Sequence, residues 1–175
     1  SLEARKQIEG ICDIRYGPNS KQTLDLHFPK SLENSPLLIF FHGGYWRALD
    51  KKDFTFVASS FLQEGIAVAN VNYDLCPEVK LDELVEEIVS ALNFCRKKVD
   101  EWGVKGIYLA GHSAGAHLVA ELLRRDFHQD EKPDEEVKGA ILLTGIYEPE
   151  VALNLEVNKE IQLNAETASK CNLMK

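Results

Sequence analysis

Two rhythms of apolar residues run along the chain. Residues 11–17 (ICDIRYG) and 23–29 (TLDLHFP) alternate apolar and polar side chains across the turn-forming PNSK, the pattern of an amino-terminal hairpin. Downstream the alternation is lost. Residues 36–42 (PLLIFFH), 65–73 (GIAVANVNY), 106–111 (GIYLAG) and 137–145 (VKGAILLTG) are almost continuously apolar, as strands covered on both faces of a parallel sheet are. Between them the period becomes helical. Phe54, Val57, Ala58, Phe61 and Leu62 form one stripe, opened by Asp50 as N-cap with Asp53 three residues on. Leu81, Leu84, Val85, Ile88, Val89, Leu92 and Cys95 form a second, with acids early and Arg96, Lys97 and Lys98 late, as the helix dipole favours. Leu118, Val119, Leu122 and Leu123 form a third.

This strand–helix repetition predicts an α/β fold of three layers, with a mainly parallel sheet, right-handed crossovers and an amino-terminal antiparallel hairpin. The charged residues 124–136 (RRDFHQDEKPDEE) predict a solvated surface loop. After Gly145 only scattered aliphatics follow, enough for short helices but not for another buried strand. Residues 137–143 are therefore expected at the sheet edge, apolar and unprotected. The expectation is one incomplete domain over residues 1–175, whose carboxyl-terminal strands are missing.

Composition narrows the function classes. With 45% apolar and 27% charged residues the chain reads as globular, and its formal net charge of −8 offers no basic stripe for nucleic acid or an anionic membrane. The apolar runs fall well short of the ~20 residues of a membrane span, and the first ten residues hold no apolar signal core. Ser1 in place of Met points to a trimmed start. Cys12, Cys76, Cys95 and Cys171 are scattered without C-x-x-C spacing, which predicts reduced thiols, no metal knuckle and a cytoplasmic setting.

Gly111-His112-Ser113-Ala114-Gly115 matches G-x-S-x-G between a buried strand and an apolar-periodic helix, the context that makes the motif a nucleophile turn. Small neighbours let strand and helix approach while Ser113 takes a strained bend at the positive end of the helix, with the Ala114 N–H turned toward a substrate oxygen. An acyl-transfer serine needs a further donor for the anionic intermediate. The loop in residues 40–46 (FFHGGYW) supplies candidates in Gly43, Gly44 and the N–H of Tyr45, with His42 ordering the loop. Tyr45 and Trp46 either line an aromatic substrate pocket or cover the core, and Tyr73 leaves another strand at the same sheet edge. Asp74 is a candidate loop anchor. Cys76 has no base tied to it.

A serine nucleophile also needs an imidazole, and the imidazole a carboxylate. His27 and His42 precede Ser113, and His112 lies in the bend. His117 sits on a helix leaving the cleft, and His128 lies in the charged loop. Asp126, Asp130, Asp134 and the later glutamates precede any further strand. No triad acid or base is identifiable within these residues. Both are expected in polypeptide beyond Lys175.

The segments HGGYW, VNYDLCPEVKLDELVEEI, LAGHSAGAHL and GAILLTGIY resemble the kynurenine formamidase (arylformamidase) family of α/β-hydrolases over about residues 11–168. That resemblance implies an α/β-hydrolase fold and a cytosolic enzyme with no metal or organic cofactor. The implied reaction splits N-formyl-L-kynurenine to kynurenine and formate through a formyl-enzyme. Ser113 would be the nucleophile, Ala114 and Gly44 to Tyr45 would surround the oxyanion, and Tyr45 and Trp46 would suit an aromatic formamide. Two other readings stand beside it: a carboxylesterase acting on small aryl or acyl esters, and a non-catalytic short form. The expected partners are a small molecule and the carboxyl-terminal remainder of the same polypeptide. The bare edge leaves a homodimer open.

Overall fold

The computed structural model describes residues 8–32, 34–126 and 137–175. Six strands, β1 (Gly10–Arg15), β2 (Thr23–His27), β3 (Ser35–Phe41), β4 (Ala67–Val71), β5 (Val104–His112) and β6 (Val137–Leu143), form one sheet in the order β1-β2-β4-β3-β5-β6. The β1–β2 and β2–β4 pairs are antiparallel, and β4, β3, β5 and β6 run parallel. Helices α1 (Thr55–Gln63), α2 (Leu81–Arg96), α3 (Val99–Trp102) and α4 (Ala114–Asp126) flank it, with the short α5 (Asn158–Ile161) and α6 (Ala165–Lys170) near the carboxyl end. This is the α/β-hydrolase architecture. None of the described helices is long and apolar enough to cross a membrane.

The two sheet faces carry different cores. Leu37, Ile39 and Phe41 of β3, with Ala69, Val71, Ile107 and Leu109, face Leu84, Val85 and Ile88 of α2 and Leu118, Val119 and Leu122 of α4. On the other face Leu38, Phe40, Val68 and Ala110 meet Phe54, Val57, Ala58 and Phe61. The first apolar stripe is thus the covering of one face, opened by a 3-10 turn, Lys51–Phe54, that Asp50 and Asp53 cap reciprocally. The carboxyl segment lies over the α2–α4 side, where Ile161, Leu163, Ala168 and Cys171 complete the core.

The register decides where function sits. Phe41 pairs with both Val71 and Gly111, and His112 with Leu143, so β3, β4, β5 and β6 end level with one another. The chain leaves each strand at one edge, where open α/β sheets hold their ligands.

Two details depart from the pattern of apolar positions. All five residues of β2 are buried, polar Asp25 and His27 included, because the strand lies between β1 and β4 and Lys51 covers it. β1 shifts register between Ile11 and Ile14, where Asp13 takes φ +59° and its N–H donates to Asp25 Oδ1 at 2.8 Å. β6 is the exposed apolar edge expected, with Ile141 46% and Leu143 49% exposed. The charged residues 127–136 lie outside those described.

Candidate active site

Ser113 occupies the bend between β5 and α4 at φ +54°, a left-handed backbone that a non-glycine residue holds only when its surroundings enforce it. Its N–H donates to Leu143 O at 2.8 Å, and its carbonyl accepts the His117 N–H at 3.2 Å. The two flanking glycines make room. A Cβ on Gly115 would lie 2.2 Å from Phe41 O and 2.5 Å from His42 O, and one on Gly111 2.4 Å from Gly115 O. β5, α4 and the end of β3 can meet here only because both positions lack a side chain. Ala114 is fully buried in the first turn of α4, where an amide has no acceptor within the helix.

The loop after β3 presses on the serine. A Cβ on Gly43 would come 3.2 Å from Ser113 Cβ and 2.9 Å from His112 Nδ1. Gly44 has φ +122°, and Tyr45, Trp46 and Leu49 are also left-handed, at +55°, +59° and +73°. Such a run is held by tertiary contacts. The Gly44 carbonyl accepts the N–H groups of Arg47 and Ala48 at 3.1 Å each, and Cys76 N–H donates to Trp46 O at 2.8 Å. Tyr73 stacks on His42 with centroids 4.3 Å apart, and its hydroxyl donates to His42 O at 2.6 Å.

Of the three residues expected at a substrate pocket, only Tyr45 is part-exposed. Trp46 is 1% exposed and meets the His117 ring edge-on at 5.3 Å, and Tyr73 is 0% exposed. Both are core supports of the loop, because the left-handed backbone turns Trp46 down toward α4. For Trp46 this is the second of the two placements the sequence left open, and Tyr73, a pocket candidate from its place at the sheet edge, is likewise in the core. Asp74 does anchor its loop: it accepts Asn19 Nδ2 at 2.6 Å, and its N–H donates to Glu87 Oε2 at 2.9 Å. Burial pushes the Cys76 thiol up to about 12, away from a reactive thiolate.

Among the described residues no histidine ring is hydrogen-bonded to the Ser113 hydroxyl. His42 is fully buried with both ring nitrogens turned to other partners, and His27 is buried in β2. His112 is exposed and lies beside Phe54 at 6.1 Å. His117 is fully buried, with Nε2 2.9 Å from Cys171 O. Burial holds both His42 and His117 below the ordinary imidazole range. His128, Asp130, Asp134 and the side chain of Asp126 lie outside the described part. What the apolar pattern did not single out is a polar group beneath the loop, Asn72, Lys51 and Asp25, whose only outward sign was a polar residue at the end of an apolar strand.

The BD-FAE family model matches residues 24–141, two-thirds of the chain, and the chain belongs to that family of α/β-hydrolase esterases. It is 35% identical over 167 residues to a kynurenine formamidase of Danio rerio, covering 94% of this chain and 56% of that protein. A kynurenine formamidase of Salmo salar is 32% identical over 166 residues, covering 94% and 55%. Among solved structures, a Silicibacter protein provisionally named a thioesterase superposes with a TM-score of 0.84 at 30% identity, covering 97% of this chain and 63% of that one. The chain thus spans about half the length of the curated relatives it matches.

Proposed function

We propose that this chain carries the nucleophile and oxyanion elements of a serine hydrolase that removes the N-formyl group from an aromatic formamide of the formylkynurenine type. The observation that carries the reading is Ser113 at φ +54° with the Gly43 backbone against it. The aromatic formamide reading is supported by the HGGYW loop, with part-exposed Tyr45 two residues after Gly43, and by the likeness to two kynurenine formamidases.

Ser113 Oγ adds to the formyl carbon while a general base from outside the described residues takes its proton. The carbonyl oxygen becomes an anion that receives the Ala114 N–H and N–H groups of the Gly43–Tyr45 loop. Each such donor contributes on the order of 3 kcal/mol to the transition state. The C–N bond then breaks, the proton passes to the departing arylamine, and water hydrolyses the formyl ester to formate and free serine.

The test compares kcat/KM for N-formylkynurenine and for p-nitrophenyl acetate on the complete polypeptide carrying this sequence. The formamide is expected to be preferred, with both activities lost in Ser113→Ala. Turnover of the ester alone would replace the formamidase reading with a carboxylesterase. Loss of neither activity in Ser113→Ala would remove the nucleophile assignment.

A further inference from the structure

Beneath the loop, Asn72 is a hydrogen-bond hub. It is 4% exposed and leaves β4 level with the end of β3. Its Oδ1 accepts the Lys51 N–H at 3.2 Å, and its Nδ2 donates to Asp50 Oδ2 at 3.0 Å. These two partners fix which end of the amide is oxygen, independently of any histidine. The same Oδ1 lies 3.0 Å from His42 Nε2, so Nε2 must carry hydrogen to bond there. On the far side of the ring, His42 Nδ1 lies 2.7 Å from Gly43 O. The Asn72 backbone is held as well, with its N–H donating to Thr23 O at 2.9 Å and its carbonyl accepting Tyr16 Oη–H at 2.6 Å.

The geometry points to Asn72 as a positioning residue that, through the His42 ring, sets the direction of the Gly43–Gly44 peptide and hence of the Gly44 N–H offered to the oxyanion. The reasoning is geometric. A trans peptide is planar, with C=O and N–H on opposite sides, so a ring that holds Gly43 O also aims the N–H of Gly44. Gly44 lies in a left-handed region and has no side chain to resist a peptide flip, so the loop needs an external hold. His42 stacks on Tyr73 at 4.3 Å and lies near-parallel to Phe54 at 5.9 Å, so stacking sets the plane of the ring and the bond to Asn72 fixes its position within that plane.

The relay is sensitive to protonation. Both ring nitrogens face acceptors, so the relay is complete in the imidazolium, which bonds both at once, while the neutral ring that burial favours donates to Asn72 Oδ1 or to Gly43 O but not to both. The charged groups acting on it are Asp50 and Asp53 of the capped turn. The flanking Tyr73 and Phe54 rings carry no charge at neutral pH, and the Lys51 ammonium is turned to Asp13 and Asp25.

This inference rests on the oxyanion role proposed for the loop, and its test separates the two. Protein labelled with 15N at histidine and glycine is followed by NMR across pH, as wild type, Asn72→Asp, Asn72→Leu and Tyr16→Phe, alongside the rate of fluorophosphonate labelling. Tyr16→Phe removes a hydrogen bond to the Asn72 backbone and is the control for general loosening. Asn72→Asp keeps an acceptor for Nε2 and adds a charge, so the His42 midpoint is expected to rise by at least about one pH unit, a tenfold gain in proton affinity. Asn72→Leu is expected to move the Gly44 amide resonance and to slow labelling at least tenfold relative to Tyr16→Phe. An unchanged His42 midpoint in Asn72→Asp, or an unchanged Gly44 amide in Asn72→Leu, would overturn the relay. If wild type takes no label at all, the hydrolase reading falls, and the two NMR responses alone decide the relay.

Discussion

Ser113 is held where an ordinary L-residue loses about 1–2 kcal/mol of backbone energy, and its glycine neighbours permit the close approach of strand and helix at that bend. Replacing Ser113 by Gly is therefore expected to raise unfolding stability by about 1 kcal/mol in urea melts while abolishing nucleophilic chemistry. Gly115→Ala runs opposite to the helix-propensity rule. In an ordinary helix that change gains about 1 kcal/mol, but here the new methyl would sit 2.2 Å from the Phe41 carbonyl, a backbone atom that cannot swing aside. A loss of about 2 kcal/mol or more is expected in the same melts, because overpacking forces the backbone to move. Lys51 is the other decisive residue. Lys51 and Asp25 are both 1% exposed and paired at 2.8 Å, so Lys51→Met takes the cation away from a buried carboxylate and is expected to cost about 3 kcal/mol.

At the scale of elements, α2 carries a pH-dependent contact with the loop after β4. Burial raises the Glu87 carboxyl from 4.5 to about 7, and the nearby Asp74 carboxylate adds to the rise while the Asp74 N–H opposes it. A carboxyl raised on folding stabilises the native state below its unfolded value, and that contribution fades as pH rises through the folded value. His42 and His117, lowered by burial, act in the other direction, contributing above the ordinary imidazole range and losing that contribution as pH falls. The difference between Glu87→Gln and wild type isolates the carboxyl: the variant is expected to be about 1–3 kcal/mol more stable at pH 8, with the advantage vanishing near pH 4.5. Denaturant melts at both pH values measure it. The elements themselves were legible because they follow from periodicity. The Phe54–Leu62 stripe, the Leu81–Cys95 stripe and the four apolar runs each became the helix or strand expected. The full burial of β2 was not legible. Asp25 and His27 look like the solvent side of an amphipathic strand until the fold lays Lys51 over them.

Taken as a whole, the molecule aligns the ends of β3, β4 and β5 so that a strained serine, a glycine loop and its polar support meet at one edge. The G-x-S-x-G and HGG motifs made the first two readable as residues. Their foundation was not readable, since Trp46 reaches the core through three successive positive-φ residues, Gly44 to Trp46, that no local pattern announces. The opposite feature, an exposed apolar β6 at the edge of the described sheet, was visible from sequence, and apolar edge strands in general favour association. Ile141→Lys is expected to lower the turbidity that develops on warming the 175-residue chain, without changing its circular dichroism. The central claim is that Ser113 is a poised nucleophile. Intact-mass analysis of the complete polypeptide after exposure to an aryl fluorophosphonate tests it most directly. One adduct, carried by the tryptic peptide of residues 106–124 and absent from Ser113→Ala, is the expected result. No adduct on the wild type, or an equal adduct on Ser113→Ala, would contradict it.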